Sequence, residues 1–223
     1  MADLTALPSV IFDLDGTLLD SVPDIQAAVN RMLAEEGLAP LSRSTVQGFV
    51  GNGLPVLVAR VMKECGIDES RHAELAARVS ADYSAHAAVE TVVFPGVIEA
   101  LETLRNKGHR LGICTNKPNG ATNAVLRSLD LLDRFDAIIA GDSLPQKKPA
   151  PEPLLAARDA LGTKAIFVGD SEVDAATAQA AGMAFVLYTE GYLRVPKDEI
   201  SFAAEFFHFD ELPAIIQDLS AGR

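Results

Sequence analysis

Short continuous apolar runs alternate with longer stripes of helical period along most of this chain. Ser9-Val10-Ile11-Phe12, bounded by Pro8 and Gly16, reads as a strand buried on both faces, and residues 110–114 and 165–168 repeat the pattern. Weaker runs lie at residues 136–139 and 184–187. Between them Val97, Leu101 and Leu104 recur at helical spacing, as do Val125 and Leu129, the apolar positions from Leu154 to Leu161, and those from Ala175 to Ala181. Strand and helix thus alternate from residue 93 onward. This order predicts an α/β fold, a Rossmann-like parallel sheet core with helices on both faces.

Residues 20–89 break the alternation, because three helical stripes follow one another with no strand between them. Ile25, Val29, Met32 and Leu33 form the first; Leu54, Leu57, Val58, Val61 and Met62 the second; Leu75, Val79 and Tyr83 the third. Ser21 with Asp24 three residues on reads as a capping box, and Gly37 as a helix C-terminal cap. The predicted organisation is a discontinuous core, residues 1–19 and 90–223, interrupted just after its first strand by an all-helical insert, residues 20–89. Ligands of such sheets bind beyond the carboxyl ends of the strands, where this insert leaves and rejoins, so the insert is placed as a lid.

Composition narrows the function classes. Hydrophobic residues are 48% and charged residues 22% of 223, the balance of a folded domain. The net charge of −12 repels a phosphate backbone, which argues against nucleic acid and anionic membrane as partners. No uncharged apolar run is long enough to span a bilayer, and the first basic residue is Arg31, so no secretory leader is expected and the protein is placed in the cytoplasm. Cys65 and Cys114 have no metal-ligand spacing and read as small buried hydrophobes.

An acidic protein can hold an anion only with local positive charge or a metal, and the candidate chemistry supplies both. Asp13-Leu14-Asp15-Gly16-Thr17 follows the first strand: either a solvated acidic turn, or two carboxylates diverging around a small volume that a cation must neutralise. Thr115-Asn116-Lys117-Pro118 follows the second long strand and opens a helix, offering a hydroxyl, an amide and a helix N-terminus to an anion. Lys147-Lys148-Pro149 is a basic pair before a helix opening near Pro151, and Gly169-Asp170-Ser171 with Asp174 ends the third long strand. All fall at or beyond strand carboxyl ends, which converge on one sheet edge. Acids for a hard divalent cation beside groups for an anion point to phosphoryl transfer.

These motifs, in this order, resemble the haloacid dehalogenase superfamily of phosphohydrolases over nearly the whole chain, and the helical insert matches that superfamily's cap. Within it the likeness narrows to bacterial phosphoglycolate phosphatases, through Val50-Gly51-Asn52-Gly53, Phe94-Pro95-Gly96-Val97, Gly141-Asp142-Ser143-Leu144-Pro145 and Lys148-Pro149-Ala150-Pro151. The resemblance implies an enzyme, a Mg²⁺-dependent phosphoric monoester hydrolase acting on a small phosphorylated metabolite, as a monomer or homodimer. Asp13 is then the nucleophile and Asp15 the acid and base, with Mg²⁺ held by the carboxylates of Asp13 and Asp170 and the backbone carbonyl of Asp15. Asp174 orients metal-bound water or Lys148; Thr115, Asn116 and Lys148 bind phosphate, the family pattern choosing Lys148 over Lys147; Gly51 and Asn52 read the leaving group. The implied substrate is 2-phosphoglycolate, the alternative another small sugar or metabolite phosphate. A phosphomutase is disfavoured because residues 18–28 contain no histidine, and a dehalogenase or a phospho-acceptor signalling domain because neither needs Asp15 as an acid. His72, His86, His109 and His208 are scattered and read as structural.

Overall fold

All four residues of the first strand, β1 (Ser9–Phe12), are buried, as expected of an apolar run that pairs on both sides. A computed structural model describes residues 7–86 and 88–222. After β1 come a two-residue strand β2 (Leu19–Asp20), four helices, α1 (Val22–Glu35), α2 (Arg43–Gln47), α3 (Leu54–Cys65) and α4 (His72–Ala85), and a second short strand β3 (Val92–Val93). Helix and strand then alternate through α5 (Val97–Asn106), β4 (Leu111–Cys114), α6 (Asn119–Ser128), β5 (Ala137–Ile139), α7 (Glu152–Leu161), β6 (Ala165–Gly169), α8 (Glu172–Ala181) and β7 (Ala184–Tyr188). The chain closes with β8 (Ala204–Phe206) and α9 (Leu212–Ser220), neither of which the apolar pattern announces. β8 is a three-residue edge strand, too short for a periodic signal.

The main sheet runs β5-β4-β1-β6-β7-β8, and every pairing in it is parallel. β1 is inner, with Val10 opposite Leu111 on one side and Ile166 on the other. Its side chains alternate between faces: Val10 and Phe12 pack with Val97, Leu101, Val125 and Ile216, whereas Ile11 packs with Leu154, Leu161 and Ala178. The chain visits β4 and β5 on one side of β1 before crossing to β6 on the other. The reversal leaves a crevice at the carboxyl ends of β1, β4 and β6.

The three stripes of the insert meet in a hydrophobic cluster of their own, built from Ile25, Val29, Leu57, Val61, Leu75 and Val79 among others; Ala121 of α6 and Tyr192 also join it. The segments leading into and out of the insert lie side by side, since β2 and β3 pair antiparallel with Leu19 opposite Val93. The capping box expected at Ser21 and Asp24 does not form. Ser21 has helical dihedrals (φ −99°, ψ −4°) rather than the extended backbone a capping hydroxyl needs, and its Oγ is buried without a partner. Asp24 instead accepts hydrogen bonds from Glu90 N (2.9 Å), Thr91 N (2.9 Å) and Thr91 Oγ1 (2.6 Å), tying the start of α1 to the returning chain. Gly37, with φ +70°, does follow the end of α1. Cys114 is buried, but Cys65 is only half-buried. Among the described residues no helix is long and apolar enough to cross a membrane.

The Asp24 contacts predict a measurable cost of removal. Asp24→Ala leaves buried donors of Thr91 unpaired, so urea unfolding is expected to give a stability lower by about 2–3 kcal/mol. A change within about 0.5 kcal/mol, the range of ordinary surface substitutions, refutes the role assigned to this tie.

Candidate active site

Strand ends and the turns after them bring the functional side chains together. β1 delivers Asp13, and the chain turns at Gly16, whose φ of +93° and contact with Asp170 exclude a side chain: a Cβ there would lie 2.3 Å from Asp170 Oδ2. β4 delivers Thr115, Asn116 and Lys117, and β6 delivers Asp170. Gly141, in the loop after β5, passes so near that a Cβ would fall 2.1 Å from the Asn116 carbonyl oxygen. Farther along that loop lies Lys148, before a cis proline. α8 opens with a true capping box: Ser171 accepts from Asp174 N, and the Asp174 carboxylate accepts from Ser171 N and Oγ. The cap fixes Asp174 facing inward.

Asp13, Asp170 and Asp174 are all buried, and each offers a carboxylate oxygen within 4.8 Å of the others. Lys148 Nζ sits among them, 2.8 Å from Asp13 Oδ1 and 2.6 Å from Asp174 Oδ1. Thr17 Oγ1 (2.6 Å) and Tyr192 N (2.7 Å) donate to Asp170. When ionised, three carboxylates face one ammonium, a formal charge of −2. Burial pushes the Asp13 carboxyl up to about 7, and the charge of Asp174 adds to this against the opposing pull of Lys148. Asp170 is raised well above its ordinary value by burial and by the same acidic neighbours. Lys148 is held above its ordinary value, the charges of Asp13 and Asp174 outweighing its burial.

A divalent cation suits this cluster. Asp13 Oδ1 is buried with no hydrogen-bond partner, its contact with Lys148 being an ion pair outside hydrogen-bond geometry. Asp174 has the Lys148 ammonium on one oxygen and two Ser171 donors on the other, whereas Asp170 accepts a single neutral donor on each oxygen, which leaves Asp13 and Asp170 as the carboxylates with lone pairs to meet an ion. Oxygen-only donors of this kind fit a hard cation.

Lys117 is a second buried lysine that the sequence reading passed over. Its Nζ donates to Asp15 at 2.8 and 3.1 Å and to Tyr83 Oη of α4 at 2.5 Å. Despite burial it is held above its ordinary value, chiefly by the charge of Asp15. Its local signal is its place just past the end of β4, in the same motif as Thr115 and Asn116. The two acids of the first motif therefore diverge onto separate lysines. A cleft between insert and core is lined by Asp13, Asp15, Thr115, Lys117, Tyr83 and Gly51, with Ile25, Val50, Leu54 and Leu57 supplying apolar wall.

The remaining sequence candidates lie around this cleft. Asn116 lines it, but its side-chain amide donates to the carbonyls of Lys148 and Gly51 (3.0 Å each) and accepts from Lys148 N (2.9 Å). It thereby pins the lysine loop and the insert's Gly51 turn together. Asn52 is turned elsewhere: its Oδ1 accepts from Arg60 (2.8 Å) and from Arg194 (3.3 Å), which pairs with Glu172. Lys147 is exposed.

Residues 10–188 match the family described as haloacid dehalogenase-like hydrolase. The chain belongs to that family, and it is an enzyme, a phosphoric monoester hydrolase. It is 52% identical over 218 residues to a phosphoglycolate phosphatase of Cereibacter sphaeroides, covering 96% of this chain and 100% of that one. A phosphoglycolate phosphatase of Rhodobacter capsulatus is 42% identical over 217 residues, or 94% and 97% of the two chains. Among solved structures, one described as a predicted phosphoglycolate phosphatase from Haemophilus somnus superposes with a TM-score of 0.88 at 29% identity, covering 96% of this chain and 99% of that one.

The buried acids make stability depend on pH and metal together. With Asp13 near 7 in the fold against an ordinary 3.8, the native state holds a proton between these values that the unfolded chain has lost. Its contribution to metal-free stability falls as pH rises through that window. A divalent ion replaces the proton, so the rise in Tm that Mg²⁺ produces over EDTA is expected to be small at pH 5 and to grow toward pH 8. A Tm increment that is flat across this range, in thermal unfolding at matched ionic strength, counts against the cluster as a metal site.

Proposed function

We propose that this enzyme hydrolyses 2-phosphoglycolate to glycolate and phosphate, through an aspartyl-phosphate on Asp13 and with Mg²⁺ as cofactor. The observation that carries the reading is the pairing of two carboxylates two residues apart with two different buried lysines on one cleft: Asp13 with Lys148 and Asp15 with Lys117. An Asp13 oxygen attacks phosphorus, and the bond from phosphorus to the leaving oxygen breaks with its electron pair on that oxygen. Asp15 gives that oxygen a proton. It then takes one from the water that attacks the aspartyl-phosphate, and the phosphorus–oxygen bond to Asp13 breaks to restore the carboxylate.

The other groups hold the phosphoryl oxygens and each other. Thr115 and Asn116 line the cleft, and the Thr115 hydroxyl and the Asn116 backbone N–H, which has no acceptor among the described residues, are the donors they supply. Lys148 adds positive charge, oriented by Asp174. Asp13, Asp170 and the backbone carbonyl of Asp15 would hold Mg²⁺, which when bound offsets the negative charge of the phosphoryl oxygens. The insert, residues 20–89, serves as the cap over the core of residues 1–19 and 90–223, since Tyr83, Leu54 and Leu57 line the same cleft as Asp13. The substrate is a small metabolite. The apolar wall of Ile25, Val50, Leu54 and Leu57 offers no partners to the hydroxyls of a polyhydroxylated leaving group set against it, and only Ser80, Tyr83 and Ser84 of the insert's other lining residues carry hydroxyls.

The test is kcat/KM with Mg²⁺ for 2-phosphoglycolate against a panel of sugar phosphates. Preference for a sugar phosphate overturns the substrate; absence of Mg²⁺-dependent turnover on any monoester overturns the reaction. Asp13→Asn is expected to reduce turnover to background while the protein stays folded by circular dichroism, and Mg²⁺-dependent turnover persisting in it rules out the covalent route. Lys148→Ala is expected to lower kcat/KM by roughly 10²- to 10³-fold, and Lys147→Ala to leave it nearly unchanged. The opposite ranking assigns the charge to the wrong lysine.

A further inference from the structure

The leaving-group side of the cleft holds a single cation. Among the described residues lining it, Lys117 alone is basic, because Lys148 lies deeper in the acid cluster. In a protein of net charge −12, an anionic leaving group must meet positive charge locally. We propose that Lys117 and Tyr83 form the subsite for the substrate's carboxylate, so that Lys117 is the residue that selects a short anionic leaving group. This assignment rests on the 2-phosphoglycolate reading above.

Donor geometry supports it. An ammonium has three N–H groups; Lys117 spends two on the same carboxylate, at 2.8 and 3.1 Å to Asp15, and one on Tyr83, so a substrate oxygen takes the place of the longer Asp15 contact. Tyr83 Oη accepts from Lys117, and its own hydrogen has no acceptor among the described residues. Two donors, one charged, suit a carboxylate with two oxygens. Position supports it as well. Asp15, which protonates the leaving oxygen in the proposed reaction, lies 2.8 Å from Lys117 Nζ. A group one carbon beyond that oxygen is therefore within reach of the ammonium, and the carboxylate of 2-phosphoglycolate is attached there. A second phosphoryl group would bring twice the charge to one ammonium, which argues against bisphosphate substrates. Because Tyr83 belongs to α4, the subsite is complete only with the insert against the core.

The alternative role for Lys117 is to act solely through Asp15, and substrate pairs separate the two. 2-Hydroxyethyl phosphate has the same length as 2-phosphoglycolate but carries a hydroxymethyl group in place of the carboxylate. Lys117→Met is expected to lower kcat/KM for 2-phosphoglycolate about 10- to 100-fold more than for 2-hydroxyethyl phosphate, and Lys117→Arg to recover part of the difference. Equal losses on both substrates overturn the subsite and make Lys117 a positioning residue for Asp15; no loss on either overturns both roles. A binding measurement on the wild-type protein does not depend on any variant folding. With Mg²⁺ present, calorimetry should find 3-phosphonopropionate bound at least about 10-fold more tightly than propylphosphonate, which lacks the carboxylate. Equal affinities overturn the subsite. Wild-type enzyme that turns over other monoesters but not 2-phosphoglycolate overturns the proposed substrate and this inference with it, whereas wild-type preference combined with equal variant losses overturns the inference alone.

Discussion

Three buried carboxylates around one lysine are the constraint on which this structure turns. Burying ions costs several kcal/mol each unless partners replace the lost water, and Lys148 is a partial replacement shared between Asp13 and Asp174. The neighbouring architecture reads as support for that burial. Thr17 and the Tyr192 backbone serve Asp170, Ser171 serves Asp174, and Asn116 grips the backbone of Lys148 from both sides. Asp13 is left the least supported of the three, with an oxygen that has no hydrogen bond. In the proposed reaction it is also the group that must be free to react.

Topology makes the crowding feasible. The acids come from the ends of two adjacent strands, β1 and β6, and the first turn of α8, while Lys148 arrives from the other side on the loop after β5. Because β1 is inner, its carboxyl end is flanked by those of β4 and β6, so Asp13 has Thr115, Asn116 and Lys117 on one side and acids on the other. Gly16 lets the chain turn back against Asp170 without a side chain between them. The turn is also what separates Asp13 from Asp15. On a continuing strand the two would share one face; here each reaches a different lysine.

Much of this was legible in the sequence because the signals were local. Continuous apolar runs marked β1, β4 and β6 to within a residue, since strands buried on both faces carry no polar alternation to blur them. The stripes of α1, α3 and α4 were equally clear, all facing the one core they share. What escaped depended on contacts remote in the chain. Ser21 and Asp24 have the spacing of a capping box, but Asp24 is claimed by Glu90 and Thr91, some 66 residues away. Lys117 escaped for a similar reason: its partners Asp15 and Tyr83 are 102 and 34 residues distant. Asn52, expected with Gly51 to read the leaving group, has its side chain held by Arg60 and Arg194, and no local pattern announces that Arg194 lies nearby.

In the proposed reading, recognition divides between the two parts of the molecule by physical type. The core holds the charges, on strand ends whose positions the sheet fixes. The insert contributes Tyr83, the Gly51 turn and apolar wall, and so governs how much water the cleft retains. These contributions multiply, because an ammonium attracts a carboxylate far more strongly once water is excluded. A rigid core alone would bind any phosphate monoester, and an apolar lid alone would favour none. Discrimination arises where Tyr83 meets Lys117, among the described residues the one contact in which a side chain of the insert bonds directly to a charged group beside the reacting acids.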